Sequence, residues 1–264
     1  MLEIIGYTGA FFVGLVLGLL GSGGSILALP IIVFCFGIQP LKATAYSLFI
    51  IGCAALIGTF RNFKSKLVDP KTALLFGIPA VIAIIITRTQ ILPSLPPTIH
   101  IGKQLVFEKN IFIMILFSML MILASIPMIR GVKERAGAKR PRPGILMFFG
   151  ALVGFISGMV GAGGGFLIIP ALSIFMKVPI KSAIATSIMV VSFNSLAGFI
   201  AELTRPDIQL NWKFLLTFTA IAAVGLFSGM ALNKRMNADK LKRGFGFFVL
   251  GIGIFILVKL SVPA

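Results

Sequence analysis

"GSGGSILALP" occupies residues 21–30, and "GAGGGFLIIP" repeats its pattern at 161–170, 140 residues later. Gly21, Ser22, Gly23, Gly24 and Ser25 in the first copy, and Gly161, Gly163, Gly164 and Gly165 in the second, interrupt apolar runs that would otherwise read as helix. Glycine lets the backbone turn sharply and lets a ligand approach main-chain N–H groups closely. Where each helix restarts, at Ser25 and at Gly165, the first N–H groups lack internal acceptors and the helix dipole presents partial positive charge. The chemistry this suits is the holding of a small anion. Ser22 and Ser25 add hydroxyl donors to the first break, whereas Ala162 and Gly165 add none at the matching positions of the second.

The segment after each break carries further polar groups at depth. Thr44, Ser47, Ser187, Ser192, Asn194 and Ser195 lie in apolar runs, and Ser47 pairs with Ser187 across the repeat. Serine and threonine can bond their own helix backbone, but the Asn194 amide is harder to satisfy and should face the bundle interior. Lys42 and Lys181 follow the same Pro-x-Lys spacing and suggest an anion-attracting vestibule on each face. The seven carboxylates, Glu3, Asp69, Glu108, Glu134, Glu202, Asp207 and Asp239, all read as lying in connections or at their edges. That predicts no membrane-embedded acid for a proton relay or cation site. Cys35 and Cys53 lack partners at ligand spacing, so no metal and no cofactor is expected.

These residues need a membrane to position them. Of 264 residues, 58% are hydrophobic and 12% charged, which is outside the range of soluble domains. A net charge of +17 in a soluble chain would suggest nucleic acid; here the basic residues sit between apolar runs, so a lipid bilayer is the expected partner and nucleic acid is not. Ten apolar segments can be read, five per half, at about 4–20, 26–38, 41–60, 72–87, 111–129, 145–160, 166–176, 183–201, 212–232 and 244–260. The predicted fold class is an all-α polytopic membrane protein made of two inverted repeats, 1–130 and 144–264, joined by a basic linker at 131–143. The short segments after the breaks should form hairpins whose tips approach the midplane.

The connections at 61–71, 130–143, 177–182 and 233–243 carry 17 Lys and Arg, and the rest of the chain carries 7, Arg88 among them. That places these connections and the linker in the cytoplasm and both termini outside. The N-terminal run has Glu3 in place of a basic leader and an internal copy after residue 144, so it should remain in the mature protein. His100 lies in the Pro-rich stretch 88–109, read as an external loop with a solvent-facing histidine.

The doubled pattern, a Gly-rich break followed by "LALP" or "LIIP", then Pro-x-Lys and a small-residue helix, resembles the TauE/SafE family. The resemblance rests on Gly18 to Pro30 with Lys42 to Ser47, and on Gly158 to Pro170 with Lys181 to Ser187. It implies an inner-membrane secondary transporter of small sulfur-containing anions, sulfite or organosulfonates such as sulfoacetate, exporting by alternating access. The two breaks differ, GSGGS against GAGGG, so the half-sites are chemically unequal. A passive anion channel would use the same lining and differ in its flux kinetics. An intramembrane serine protease would need a buried histidine base, a role for which His100 is badly placed, and no enzyme is expected. The coupling ion is left open, and the composition is compatible with a homo-oligomer.

Overall fold

The computed structural model describes the backbone of residues 2–21, 23–64, 68–101, 105–130, 143–170, 172, 180–204, 210–233 and 238–261. The side chains of 2, 64, 99–101, 105–107, 166, 169–170, 180–181, 238–242 and 261 are not described. The protein is an all-α polytopic membrane protein. In chain order its helices are α1 (Leu2–Leu20), α2 (Ser25–Phe36), α3 (Pro40–Lys64), α4 (Pro70–Ile86), the three-residue α5 (Leu92–Ser94), α6 (Lys109–Arg130), α7 (Pro143–Val160), α8 (Gly165–Pro170), α9 (Ile180–Leu203), α10 (Trp212–Asn233) and α11 (Ala238–Ser261). Among the described residues, eight helices are long and apolar enough to cross a bilayer, and α2 is a shorter apolar helix beside them.

Local sequence sets the helix ends. At the start of α4 the Asp69 carboxylate accepts from the N–H groups of Lys71 and Thr72, at 3.2 and 3.3 Å, while Pro70 fills the first helical position, where no N–H is needed. At its other end α4 does not stop where its apolar run stops. The helix widens into a π turn over Thr87–Ile91, in which the N–H of Leu92 reaches the carbonyl of Thr87. Pro93 explains the widening: it lacks an N–H, and its ring crowds the carbonyl four residues back. The Lys109 ammonium then satisfies the carbonyls of Leu92 and of Leu95, the latter at 3.2 Å. The stretch expected as an external loop therefore begins as a buried helical turn. Beyond α5 comes an antiparallel hairpin, β1 (Thr98–Ile101) and β2 (Leu105–Glu108), in which His100 pairs with Val106; the imidazole lies outside the described residues.

Close glycine contacts fix how the helices run. Gly14 and Gly18 of α1 lie against Ala222 and Leu226 of α10, so these two helices are parallel. Gly150, Gly154 and Gly158 of α7 lie against Phe76, Ala80 and Thr87, so α7 is parallel to α4. Gly52 and Gly58 of α3 meet Leu196 and Ile188 of α9, an antiparallel pair, and Gly246 and Gly253 of α11 meet Ile129 and Ile122 of α6, another. Small residues let these backbones approach, which drives association where lipid offers no hydrophobic gain. The first long helix of each half thus packs on the fourth long-range partner of the other, α1 on α10 and α7 on α4.

The break after α1 turns the chain back. Gly24 lies against Val13 and Leu17, Ile31 against Gly9, and Cys35 and Phe36 against Gly6, so α2 descends along α1. The rings of Tyr7, Phe36 and Phe214 close that end, with centroids 5.2 and 4.8 Å apart. Gly164 lies against Val153 and Ser157 of α7 as Gly24 does against Val13 and Leu17, each 140 residues earlier.

A methyl group on Gly154 would overlap the Ala80 carbonyl, whereas one on Gly251 meets nothing within 4 Å. Gly154→Ala should lower stability by about 1–3 kcal/mol through overpacking. Gly251→Ala should be neutral or gain up to about 1 kcal/mol from helix propensity. Melting of the two variants in detergent checks this.

Candidate functional site

The second break brings the expected site residues together. Gly161, Gly163 and Gly164 have φ of 72°, 64° and 70°, a left-handed run that side chains rarely tolerate. The turn is tied at both ends: the Gly161 N–H donates to Ser157 O at 2.8 Å, and the N–H groups of Leu167 and Ile168 donate to Gly164 O at 2.9 and 3.0 Å. The Gly161 carbonyl accepts from Ser47 Oγ, which also donates to Thr44 O at 2.9 Å. Gly163 sits on Ser195 and Ile51 near the middle of α3 and α9, and Gly164 sits on Ser157. Asn194 Nδ2 donates to Ser157 Oγ at 3.4 Å.

Two charged groups join this cluster from outside the expected set. Arg88, carried by the π turn, has its guanidinium beside Gly161 and Thr44. Its Nη1 donates to Glu202 Oε2 and to Thr44 Oγ1, each at 2.9 Å. Arg88 and Glu202 are 0% and 1% exposed, and they are the two charged side chains buried among the described residues. The expectation that no carboxylate is embedded is therefore corrected: Glu202 lies in the last turn of α9, inside the bundle, and its charge is sustained there by the guanidinium.

Two polar atoms in the cluster are left over. Asn194 Oδ1 and Ser195 Oγ are buried without a hydrogen-bond partner. Each such orphan costs about 1–3 kcal/mol in a protein interior, so together they mark a place prepared for a ligand or water. An amide turns over at no steric cost, so Asn194 can present either its NH₂ or its oxygen to that place. Gly163 borders it with no side chain to fill it, since a Cβ there would overlap Ser195 Oγ.

The first break is made of the same residues in an apolar setting. Gly21, with φ 86°, faces Ile184 where Gly161 faces Thr44. Gly23 faces Leu20 and Phe245, and Gly24, at φ −61°, is packed on α1. Ser25 is fully buried at the start of α2, and Ser187 donates to Ile184 O at 2.8 Å. Ser22 lies outside the described residues, as does the side chain of Lys181 in the first turn of α9. Lys42 is half-buried and stands over the Tyr46 ring, 5.8 Å from its centroid, rather than at either break. Counting back 140 residues from Ser157, Asn194 and Ser195 gives Leu17, Ala54 and Ala55, which explains why one tip is polar and the other dry.

The model of the sulfite exporter TauE/SafE family matches residues 7–256, nearly the whole chain. The chain belongs to the TauE/SafE family. Its curated relatives include a probable membrane transporter protein of Xylella fastidiosa, 30% identical, with 93% of this chain and 91% of the relative covered. Another, from Methanocaldococcus jannaschii, is 29% identical over 94% of this chain and 92% of its own length. A third, YunE of Bacillus subtilis, is 27% identical over 86% and 87%. No solved structure matches. Membership of the TauE/SafE family and these relatives make the protein a multi-pass membrane transporter.

In this TauE/SafE chain the glycines, Ser47 and Asn194 were legible from the repeat, but Arg88, Glu202 and Ser157 were not. One signal pointed to Arg88. The apolar run 72–87 is 16 residues, about 24 Å of helix against a hydrocarbon core of about 30 Å, so the helix had to continue through it. Removing one partner of a buried pair strands the other charge, so Arg88→Met should cost about 3–5 kcal/mol. The double variant Arg88→Met, Glu202→Leu should recover most of that loss. Melting temperatures of the wild type, both single variants and the double variant test the coupling.

Proposed function

We propose that the protein is a secondary transporter of small sulfur-containing anions, sulfite or organosulfonates such as sulfoacetate, bound at the Gly161–Gly165 tip and exported by alternating access. The observation that carries this is the buried guanidinium of Arg88 beside a left-handed glycine turn, with Ser195 Oγ and Asn194 Oδ1 left unpartnered next to it. A sulfur oxyanion presents several acceptor oxygens, which hydroxyl, amide and backbone N–H donors can share in place of water. The family description, sulfite exporter, supports the same substrate class.

Rocking of one bundle against another needs two related halves. The antiparallel pairs α3 with α9 and α6 with α11 join elements at the same place in each half, which supports inverted repeats over 1–130 and 144–264. With Arg88 withdrawn into the bundle, the basic residues divide 17 to 6, which supports a cytoplasmic linker at 131–143 and termini on the outer face of the inner membrane.

Purified protein in detergent should melt at a higher temperature with sulfite or sulfoacetate and not with chloride. A ligand at about a hundredfold its Kd contributes about 2.7 kcal/mol to the native state. Gly163→Ala should abolish the shift, and Gly23→Ala, at the dry tip, should keep it. Loss in Gly23→Ala alone would move the site to the first break. In proteoliposomes, saturable counterflow is expected; conductance without saturation would make the protein a channel.

A further inference from the structure

The anion site proposed above is electrically neutral before any anion enters. Arg88 and Glu202 bring one charge of each sign, and no other charged side chain is buried among the described residues. On the neighbouring elements the ionisable groups are otherwise engaged or distant. On α3, Lys42 stands over Tyr46, the Tyr46 hydroxyl accepts from the Asn211 N–H at 2.8 Å, Cys53 is half-buried, and Arg61 is exposed at the far end. Lys71, at the start of α4, is exposed there. Neither α7 nor α8 has an ionisable side chain, and the Lys109 ammonium of α6 is bonded to the carbonyls of Leu92 and Leu95. Arg88 is thus the cation that faces Glu202.

An anion arriving at Arg88 adds a negative charge to this dry cluster and competes with the carboxylate for the same guanidinium N–H groups. Two anions sharing one buried cation are unfavourable, and a carboxylate deprived of its cation in such surroundings is better neutral. We propose that Glu202 is the coupling carboxylate of a proton-linked transporter. It holds Arg88 while the site is empty and takes up one proton when the anion replaces it on the guanidinium. The balance is one anion and one proton in, with the pair Arg88⁺ and Glu202⁻ becoming Arg88⁺ with bound anion and a neutral Glu202. Release reverses it: the anion leaves, the proton leaves, and the ion pair re-forms. Anion and proton therefore cross together.

This rests on the sulfur-anion site, and the experiment separates the two. Sulfoacetate is the probe, because its sulfonate stays ionised and the molecule does not leak through lipid as a neutral acid. In proteoliposomes with the membrane potential held at zero, an acidic exterior should drive sulfoacetate accumulation of about tenfold per pH unit. At equal pH on both sides, wild-type exchange should fall as pH rises. Glu202→Gln, a neutral mimic of the protonated acid, should lose gradient-driven accumulation and show exchange that no longer varies with pH. Should that variant not fold, proton uptake by the wild type decides: sulfoacetate added to purified protein in weak buffer should take up one proton per anion bound. Exchange without proton uptake, or gradient-driven accumulation by Glu202→Gln equal to wild type, overturns the coupling and leaves the anion site standing. Absence of both exchange and thermal stabilisation with sulfoacetate and with sulfite overturns the sulfur-anion reading and the coupling with it.

Discussion

Backbone and charge inside a bilayer have no water to turn to, so each polar group at depth must be answered by the protein or by what the protein carries. The breaks at 21–24 and 161–164 raise that demand twice, and the molecule answers it in two ways. At the first break, apolar side chains from α9 and α11 close over the glycines, and α2 folds back along α1. At the second, hydroxyls from α3, α7 and α9 and a guanidinium from the π turn surround the backbone. Because the two answers differ, a chain with a doubled motif presents one polar tip.

The ion pair of Arg88 and Glu202 follows from the same constraint. An arginine at this depth is tolerated because a carboxylate and a threonine hydroxyl sit 2.9 Å from Nη1. Its place depends on Pro93, which forbids a regular continuation of α4, and on Lys109, which ties off the carbonyls that the interrupted helix exposes. A π turn re-aims side chains relative to the α-helix before it, and here it accompanies the turn that carries the guanidinium to Gly161. Structure at the edge of α4 thereby sets chemistry at the tip of another hairpin, more than 70 residues away in sequence.

Close glycine packing makes the scaffold rigid enough for this to matter. Ridges of α1 against α10 and of α7 against α4 meet through glycines whose Cα atoms lie on a neighbour's backbone, so neither pair can rotate without a clash. Between them, α3 and α9 cross antiparallel through Gly52 and Gly58, and these are the helices that carry Thr44, Ser47, Asn194 and Ser195. The polar lining is thus mounted on the central pair, while the glycine tip comes from the flanking hairpin.

Composition and periodicity alone determined that this chain is a polytopic helical membrane protein, and the 140-residue echo of Gly21, Gly23 and Gly24 in Gly161, Gly163 and Gly164 located both helix breaks. Those features are local: they depend on runs of apolar residues and on the conformations that glycine permits. Which break is polar was not local. Ser22 and Ser25 favoured the first, yet the polar groups gather at the second, because Thr44 and Arg88 of the first half reach Gly161 while its counterpart Gly21 meets Ile184. Burial of Glu202 was equally out of reach, since it stands one residue beyond an apolar run and only the arrival of Arg88, 114 residues earlier in the chain, makes its burial tolerable. Tertiary structure decided these points because the free energy of a buried charge or an open hydroxyl is set by what stands opposite it, and a sequence pattern records only what stands beside it.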